Sequence, residues 1–313
     1  PMGPPRLSIL FASRAGEGIG LTGPGRSPII RKMKTLDVQE AIDRALAEDL
    51  PAGDVTTAAI VPPDLKAAAV LLAKEDGVLA GIDVFVRVFK TLDPKVAVRR
   101  KLRDGSPFRP GQVLGEISGP AAVLLRGERT ALNFVQRLSG IATTTQSYVR
   151  AVAGTGVRVL DTRKTTPGLR DLEKYAVRRG GGVNHRRDLS SMVLVKDNHL
   201  AVAGGVGPAV AAVRAAWGRR FRLEVEAATA AEAMEAAAAG ADWVMLDNMT
   251  IPEMKKTVRL LRGRVKIEAS GNVCLDNIRQ IAETGVDFIS IGRLTHSARA
   301  VDLSLEINTK RRR

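Results

Sequence analysis

Between residues 157 and 291 the chain repeats one pattern six times: a short apolar run with a polar residue at or near its end, followed by a helical stretch. The runs are "VRVLD" (157–161), "MVLVK" (192–196), "FRLEVE" (221–226), "DWVMLD" (242–247), "VKIEA" (265–269) and "DFISI" (287–291). Between them lie Ala-rich helical stretches such as "ATAAEAMEAAAAGA" (228–241). Strands alternating with helices imply βαβ units and a parallel sheet. A complete eight-unit barrel takes about 250 residues, and the segment 139–297 falls well short of that. The expectation is an incomplete α/β barrel of six to seven strands. An open doubly wound sheet is the alternative, but no GxGxxG turn supports a dinucleotide site.

The first third follows a different rhythm. "DVQEAIDRALAEDL" (37–50) has the spacing of an amphipathic helix. "AAAVLLAKEDGVLAG" (67–81) and "VAVRRKL" (96–102) read as strands with turns, and "RDGSPFRPGQVLGEISG" (103–119) is punctuated by Gly and Pro. A helix follows over roughly 128–138. This makes 34–138 a separate α+β unit. Residues 1–33 are rich in Gly, Pro, Ser and Arg without a period, and are expected to be a disordered leader.

The polar residues that close the strands matter most. Asp161, Lys196, Glu226, Asp247, Glu268 with Ser270, and Gly292 with Arg293 all sit at or near C-terminal strand ends. In a parallel barrel those ends converge on one face, where reactive groups collect. One group is cationic: Arg163, Lys164, His185, Arg186 and Lys196. The other, Glu226 and Asp247, is acidic. Arginine forks fit planar carboxylates, and lysine acts as a point charge, so the cationic group suits a ligand bearing carboxylates or phosphates. Two carboxylates from neighbouring strands suit magnesium, which shares its coordination with substrate phosphates; mutual neutralisation with nearby bases is the other reading. The Gly turns "ASGNV" (269–273) and "SIGRLTHS" (290–297) open helices whose N–H groups can take phosphate. "RRGGGVNHRR" (178–187) reads as a mobile or closely approaching loop. Lys196 could also form an imine, the chemistry of an aldolase-like lyase.

Charge and composition narrow the partners. The formal net charge is +15, which would allow nucleic-acid binding. However, the basic clusters are scattered and there are only two Trp and two Tyr to stack on bases. Weak non-specific binding through the tails is expected, and no specific nucleic-acid site. No apolar run is long enough to span a membrane. The single Cys274 fits a reducing compartment, and the expected location is cytoplasmic.

Several stretches together resemble the quinolinate phosphoribosyltransferase family, the carboxylating nicotinate-nucleotide pyrophosphorylases. They are "GERTALNFVQRLSGIAT" (127–143), "DTRKTTPGLRDLEKYAVRRGGGVNHR" (161–186), "LVKDNH" (194–199), "EVEA" (224–227), "MLDN" (245–248), "EASGNV" (268–273) and "ISIGRLTHS" (289–297). The resemblance runs from about residue 35 to 308. It implies an N-terminal α/β sandwich over 34–138, completed by 298–313, joined to the incomplete barrel. It also implies transfer of phosphoribosyl from phosphoribosyl pyrophosphate to quinolinate with loss of carbon dioxide, giving nicotinate mononucleotide and pyrophosphate for NAD synthesis. A related enzyme acting on another heterocyclic acid is the alternative.

By the same resemblance, Thr162, Arg163, His185, Arg186 and Lys196 bind quinolinate. Arg129, at a predicted helix N-terminus, is contributed by a neighbouring subunit of a dimer or a hexamer of dimers. Lys164 contacts the phosphoribosyl donor, Glu226 and Asp247 serve the ribose and Mg2+, and Ser270, Gly271, Asn272, Gly292 and His296 bind phosphate.

Overall fold

A computed structural model describes residues 35–308; the leader expected over 1–33 and the residues after 308 lie outside the described residues. The first part begins with helices α1 (Thr35–Asp49) and α2 (Val55–Ile60). Strand β1 (Lys66–Ala73), the short β2 (Gly77–Val78) and helix α3 (Ile82–Leu92) follow. Then come β3 (Ala97–Arg100), β4 (Pro107–Phe108) and β5 (Val113–Pro120). β1 alternates strictly: Ala67, Ala69, Leu71 and Ala73 are buried while their neighbours are not. A period of two with one covered face is the signature of an antiparallel sheet packed on helices. α1 supplies Val38, Ile42 and Leu46 to this core, and α3 supplies Phe85, Val88 and Phe89.

The long helix α4 (Ala121–Ala151) then joins the two parts. It is far longer than the 128–138 expected. Its two glycines, Gly127 and Gly140, obscured it in the sequence, because Gly costs helix propensity, but both lie where another group touches the backbone. A Cβ on Gly127 would come within 2.6 Å of the Phe89 ring, and one on Gly140 within 1.9 Å of the Arg299 carbonyl oxygen. The boundary expected at 138/139 falls inside this one helix.

The second part is a six-stranded parallel sheet. Its strands are β6 (Arg158–Leu160), β7 (Val193–Val195), β8 (Leu223–Ala227), β9 (Trp243–Asp247), β10 (Lys266–Ser270) and β11 (Phe288–Ser290). The helices between them are α5 (Arg170–Arg179), α6 (Asp197–Ala203), α7 (Val206–Trp217), α8 (Ala230–Ala239), α9 (Ile251–Leu261) and α10 (Ile278–Ala282). The order is β6-β11-β10-β9-β8-β7, so β7 through β11 pair in sequence and β6 closes on β11. β6 and β7 do not pair, which leaves the barrel open between them. Val183 takes up that edge through a one-residue bridge to Leu160. All six expected strands are present.

The chain finally makes α11 (Arg293–His296) and returns as β12 (Leu303–Asn308), which pairs antiparallel with β1. The first sheet therefore reads β12-β1-β5-β3. The glycine run at 180–182 is a close approach: a Cβ on Gly180 would meet the Ala142 carbonyl oxygen at 2.3 Å, and one on Gly182 the Thr145 methyl at 2.8 Å. The run lets residues 180–182 pack against α4.

Gly140→Ala must push its methyl into the Arg299 backbone and should cost at least ~1–3 kcal/mol. Gly115→Ala, whose nearest neighbours would be 3.7 Å away, should be close to neutral. Denaturant unfolding of the two variants checks the contrast.

Candidate active site

Side chains alternate along each strand of the second sheet, and register decides which set faces inward. Glu224 stands opposite Trp243, Glu226 opposite Met245, and Ser270 opposite Asp247. The inward set is layered as in other barrels. Trp243 and Phe288 stack at 4.3 Å between ring centroids, with planes 11° apart. Above them lie Glu224, Glu268 and Ser290. Lys196, Glu226, Asp247, Ser270 and Gly292 occupy the strand tips. These tips line an open cavity of about 840 Å³. Every residue expected at the site lines it, with one exception, Arg129.

The cationic side of the cavity holds Arg163, Lys164, Arg186 and Lys196. Arg186 is buried, 8% exposed, and donates Nη1–H to the Met192 carbonyl at 3.4 Å. Burial lowers its pKa, and the neighbouring Arg163 lowers it further. Arg163 Nε is buried without a hydrogen-bond partner. Two guanidiniums held this close, one with an orphan donor, favour binding of an anion. Lys196 donates to Glu226 Oε2 at 2.5 Å. Its backbone N–H donates to His199 Nδ1 at 2.9 Å, so His199 caps α6.

The opposite side is built from backbone turns. Asn248 and Asn272 sit at φ +53° and +49°, in the left-handed region where Asn is tolerated. Asn272 donates to Asn248 Oδ1 at 3.1 Å, and Asn248 donates to Asp247 Oδ2 at 2.8 Å. Gly271 is obligatory here, because a Cβ would lie 2.1 Å from Asn248 Oδ1. At Gly292 a Cβ would come within 3.0 Å of both His296 and Lys164 Cδ. Thr162 Oγ1 accepts the Lys164 N–H at 3.0 Å, so its side chain shapes the loop. His296 Nδ1 lies 2.6 Å from Ser297 Oγ.

Two expectations need correcting. Asp161 lines the cavity, as expected of a strand end, but from beneath its mouth: its carboxylate is wholly buried, contacted by Lys174 Nζ and Asn184 Nδ2, with the His185 N–H donating at 2.9 Å. Burial pushes Asp161 up and Lys174 down, and each opposes the shift of the other. Arg129 is not at a helix start: α4 begins at Ala121, and Arg129 lies exposed well inside it.

Family models decide the lineage. The chain matches the N-terminal domain of quinolinate phosphoribosyl transferase over residues 54–139 and its C-terminal domain over 141–306. The chain belongs to the quinolinate phosphoribosyltransferase family. Among its relatives is the probable nicotinate-nucleotide pyrophosphorylase [carboxylating] of Bacillus subtilis. It is 41% identical over 275 residues, which cover 88% of this chain and 95% of that one. The chloroplastic enzyme of that name from Arabidopsis thaliana is 40% identical, covering 98% of this chain and 92% of its own. The crystal structure of NadC from Streptococcus pyogenes superposes with a TM-score of 0.86 at 43% identity, covering 89% of this chain and 99% of that one.

In this member of the quinolinate phosphoribosyltransferase family, the floor of the site is acidic; Glu268 was read at a strand end, and Glu224 was missed. His185 Nε2 lies 2.8 Å from Glu224 Oε2 and 3.6 Å from Glu268 Oε2. Both carboxyls are wholly buried, and Glu224 Oε1 and both Glu268 oxygens have no hydrogen-bond partner among the described residues. Burial raises Glu224 to about 7; burial and then the Glu224 charge raise Glu268 to about 8. Burial likewise lowers His185. The available signal was "LEVE", where a second acid two residues before Glu226 must face the same way. Among the described residues these three are the group whose potential ligand atoms lie within 4.8 Å of one another. The Glu226–Asp247 pair is different in kind: two carboxylates at adjacent strand tips of an open cavity, Glu226 paired with Lys196, with no third His, Cys, Asp or Glu grouped with them among the described residues. That donor set fits an ion completed by substrate phosphates and water.

Glu268 binds its proton more tightly folded than unfolded, so the stability it contributes is present below about pH 4.5 and is lost as pH rises toward 8. The thermal midpoint should therefore fall between pH 5 and 8, and Glu268→Gln, which cannot ionise, should flatten that decline. Melting curves of both proteins across this range test it.

Proposed function

We propose that this chain transfers the phosphoribosyl group of phosphoribosyl pyrophosphate to the ring nitrogen of quinolinate. The ring then loses carbon dioxide, leaving nicotinate mononucleotide and pyrophosphate, a step of NAD biosynthesis. One observation carries the reading: a single cavity joins a cluster of cations, with the Arg163 Nε donor unpaired, to a half lined by glycine turns and two acids. The first half suits a planar dicarboxylate and the second a sugar diphosphate.

The residues then divide the work. Arg163, Arg186 and Lys196 hold the two carboxylates, and His185, neutral through burial, fills the wall beside them. Thr162 shapes the turn that presents Arg163 and Lys164. Lys164 and the turns at Ser270–Asn272 and Gly292–His296 receive the phosphates. Glu226 and Asp247 would hold magnesium with the donor's phosphates; when bound it neutralises charge on the departing pyrophosphate. Orientation of the ring nitrogen toward the anomeric carbon supplies much of the rate. Bond formation makes that nitrogen cationic. When the C2–carboxylate bond breaks, its electron pair stays on C2 beside the cation until a proton is taken up. No covalent enzyme intermediate is needed, so Lys196 serves as a charge and not as an imine-former.

The assembly in this reading is a dimer unit with shared sites. The exposed Arg129 on α4 supports it, since it is the one predicted ligand residue not lining its own chain's cavity. Among the described residues no single helix is long and apolar enough to cross a membrane. The free Cys274 is in keeping with a reducing compartment such as the cytoplasm.

Incubation with quinolinate, phosphoribosyl pyrophosphate and magnesium should release carbon dioxide and form nicotinate mononucleotide; a sound fold that gives no product would end the reading. Arg163→Ala should raise KM for quinolinate about 10- to 100-fold, the loss of a charge-assisted pair worth ~1.5–3 kcal/mol. Quinolinate should outcompete nicotinate for the site, whereas a preference for nicotinate would favour a relative acting on another heterocyclic acid. Arg129→Ala and Lys164→Ala proteins, each inactive alone, should recover about a quarter of wild-type activity once their subunits are mixed and exchanged, because each hybrid dimer rebuilds one intact site. Assays before and after exchange give the answer.

A further inference from the structure

We propose that Arg137 and Glu173, which touch no expected substrate position, are positioning residues for the sugar-diphosphate half of the site. The inference rests on the reading above and adds a support to it. Glu173, on α5, is wholly buried. Its Oε2 accepts the Thr166 N–H at 3.1 Å, and its Oε1 accepts the Thr166 hydroxyl at 2.7 Å. The same Oε1 accepts Arg137 Nη2–H at 2.8 Å and Nε–H at 3.2 Å. Arg137, on α4, reaches further: Nη2 also donates to the Thr295 carbonyl at 2.7 Å, and Nη1 to the Ala298 carbonyl at 3.3 Å. Thr295 Oγ1 completes the circuit by donating to the Lys164 carbonyl at 2.7 Å.

One guanidinium thus ties the loop after β6, which carries Lys164, to the α11 segment, which carries Gly292 and His296. Both segments line the cavity from opposite ends of the barrel sequence. A lysine could keep the charge but not the fork that spans Glu173 and two carbonyls at once. A buried carboxylate is costly unless its donors are all in place, so the latch is either closed or broken. The cations facing the dicarboxylate have other supports. Arg163 is held through its carbonyl by Arg170 at 3.4 Å, 184–186 by Asp161, and Lys196 by its helix cap. Loosening the latch should therefore be felt by one substrate more than the other.

Arg137→Lys and Thr166→Val should raise KM for phosphoribosyl pyrophosphate at least about tenfold, as displaced contacts do, and leave KM for quinolinate within about threefold. Magnesium pyrophosphate binding, measured by calorimetry, should weaken in parallel. Val135→Ala, a core change in the same helix, should lower the melting temperature without altering the ratio of the two KM values. Glu173→Gln, which keeps an acceptor for the Thr166 N–H, should show the same selectivity in milder form. Equal changes toward both substrates, or a skew in Val135→Ala matching that of Arg137→Lys, would overturn the latch while wild-type turnover upholds the activity. A wild-type protein that turns over neither substrate would overturn the activity and the latch with it.

Discussion

Asp161 is wholly buried, and its carboxylate is satisfied within the fold by an ammonium on α5, the side-chain amide of Asn184 and the backbone of His185. Its removal would strand Lys174 in a space where an isolated charge costs several kcal/mol. The Asn184 amide also donates to the Lys174 carbonyl at 2.9 Å, and Lys174 Nζ donates to the His185 carbonyl at 3.2 Å. The contact therefore gathers three elements: the end of β6, the middle of α5 and the 183–186 segment, of which only β6 and Val183 are joined by a backbone bridge. It sets where His185 and Arg186 stand. The edge that β6 and β7 fail to close is filled by this same segment, so the open barrel and the cationic pocket have one cause.

Above and below that contact the charges are separated by depth. The cations line the open cavity, where a dianion can reach them, although Arg186 is itself buried. The acids beneath are dry, and burial, with the Glu224 charge second, pushes Glu268 up to about 8, which favours its protonated form near neutrality. A floor carrying a full pair of negative charges would cancel the field of Arg163 and Arg186. Keeping one carboxyl neutral limits that loss and leaves the mouth positive.

Much of this could be read from the chain. The six strands were legible because each is a dry run between polar stops, and their tips because a polar residue ending such a run has few other places to go. α4 was legible only in its middle: Gly127 and Gly140 look like breaks until Phe89 and the Arg299 carbonyl are seen pressed against them. Asp161 read as part of a charged mouth because sequence spacing does not tell an exposed carboxylate from one sealed by Lys174. Glu224 was overlooked beside Glu226, since alternation assigns a face and not a depth. The roles given by resemblance to Arg163, Lys164, Arg186 and Lys196 concern residues that do line one cavity; Arg129 is the residue for which a single chain has no use.

The return of β12 to the edge of β1 carries a consequence for biosynthesis. β1 can pair with β5 early, but its other edge finds its partner only after the whole barrel has been translated. At about 5–20 residues per second, a ribosome leaves that edge bare for roughly ten to forty seconds. An unpaired strand of small and apolar residues such as "AAAVLLA" invites pairing with a neighbouring nascent chain. The exposed Lys66 at its start and the bulge between Leu71 and Leu72 are features that discourage such contacts during the wait.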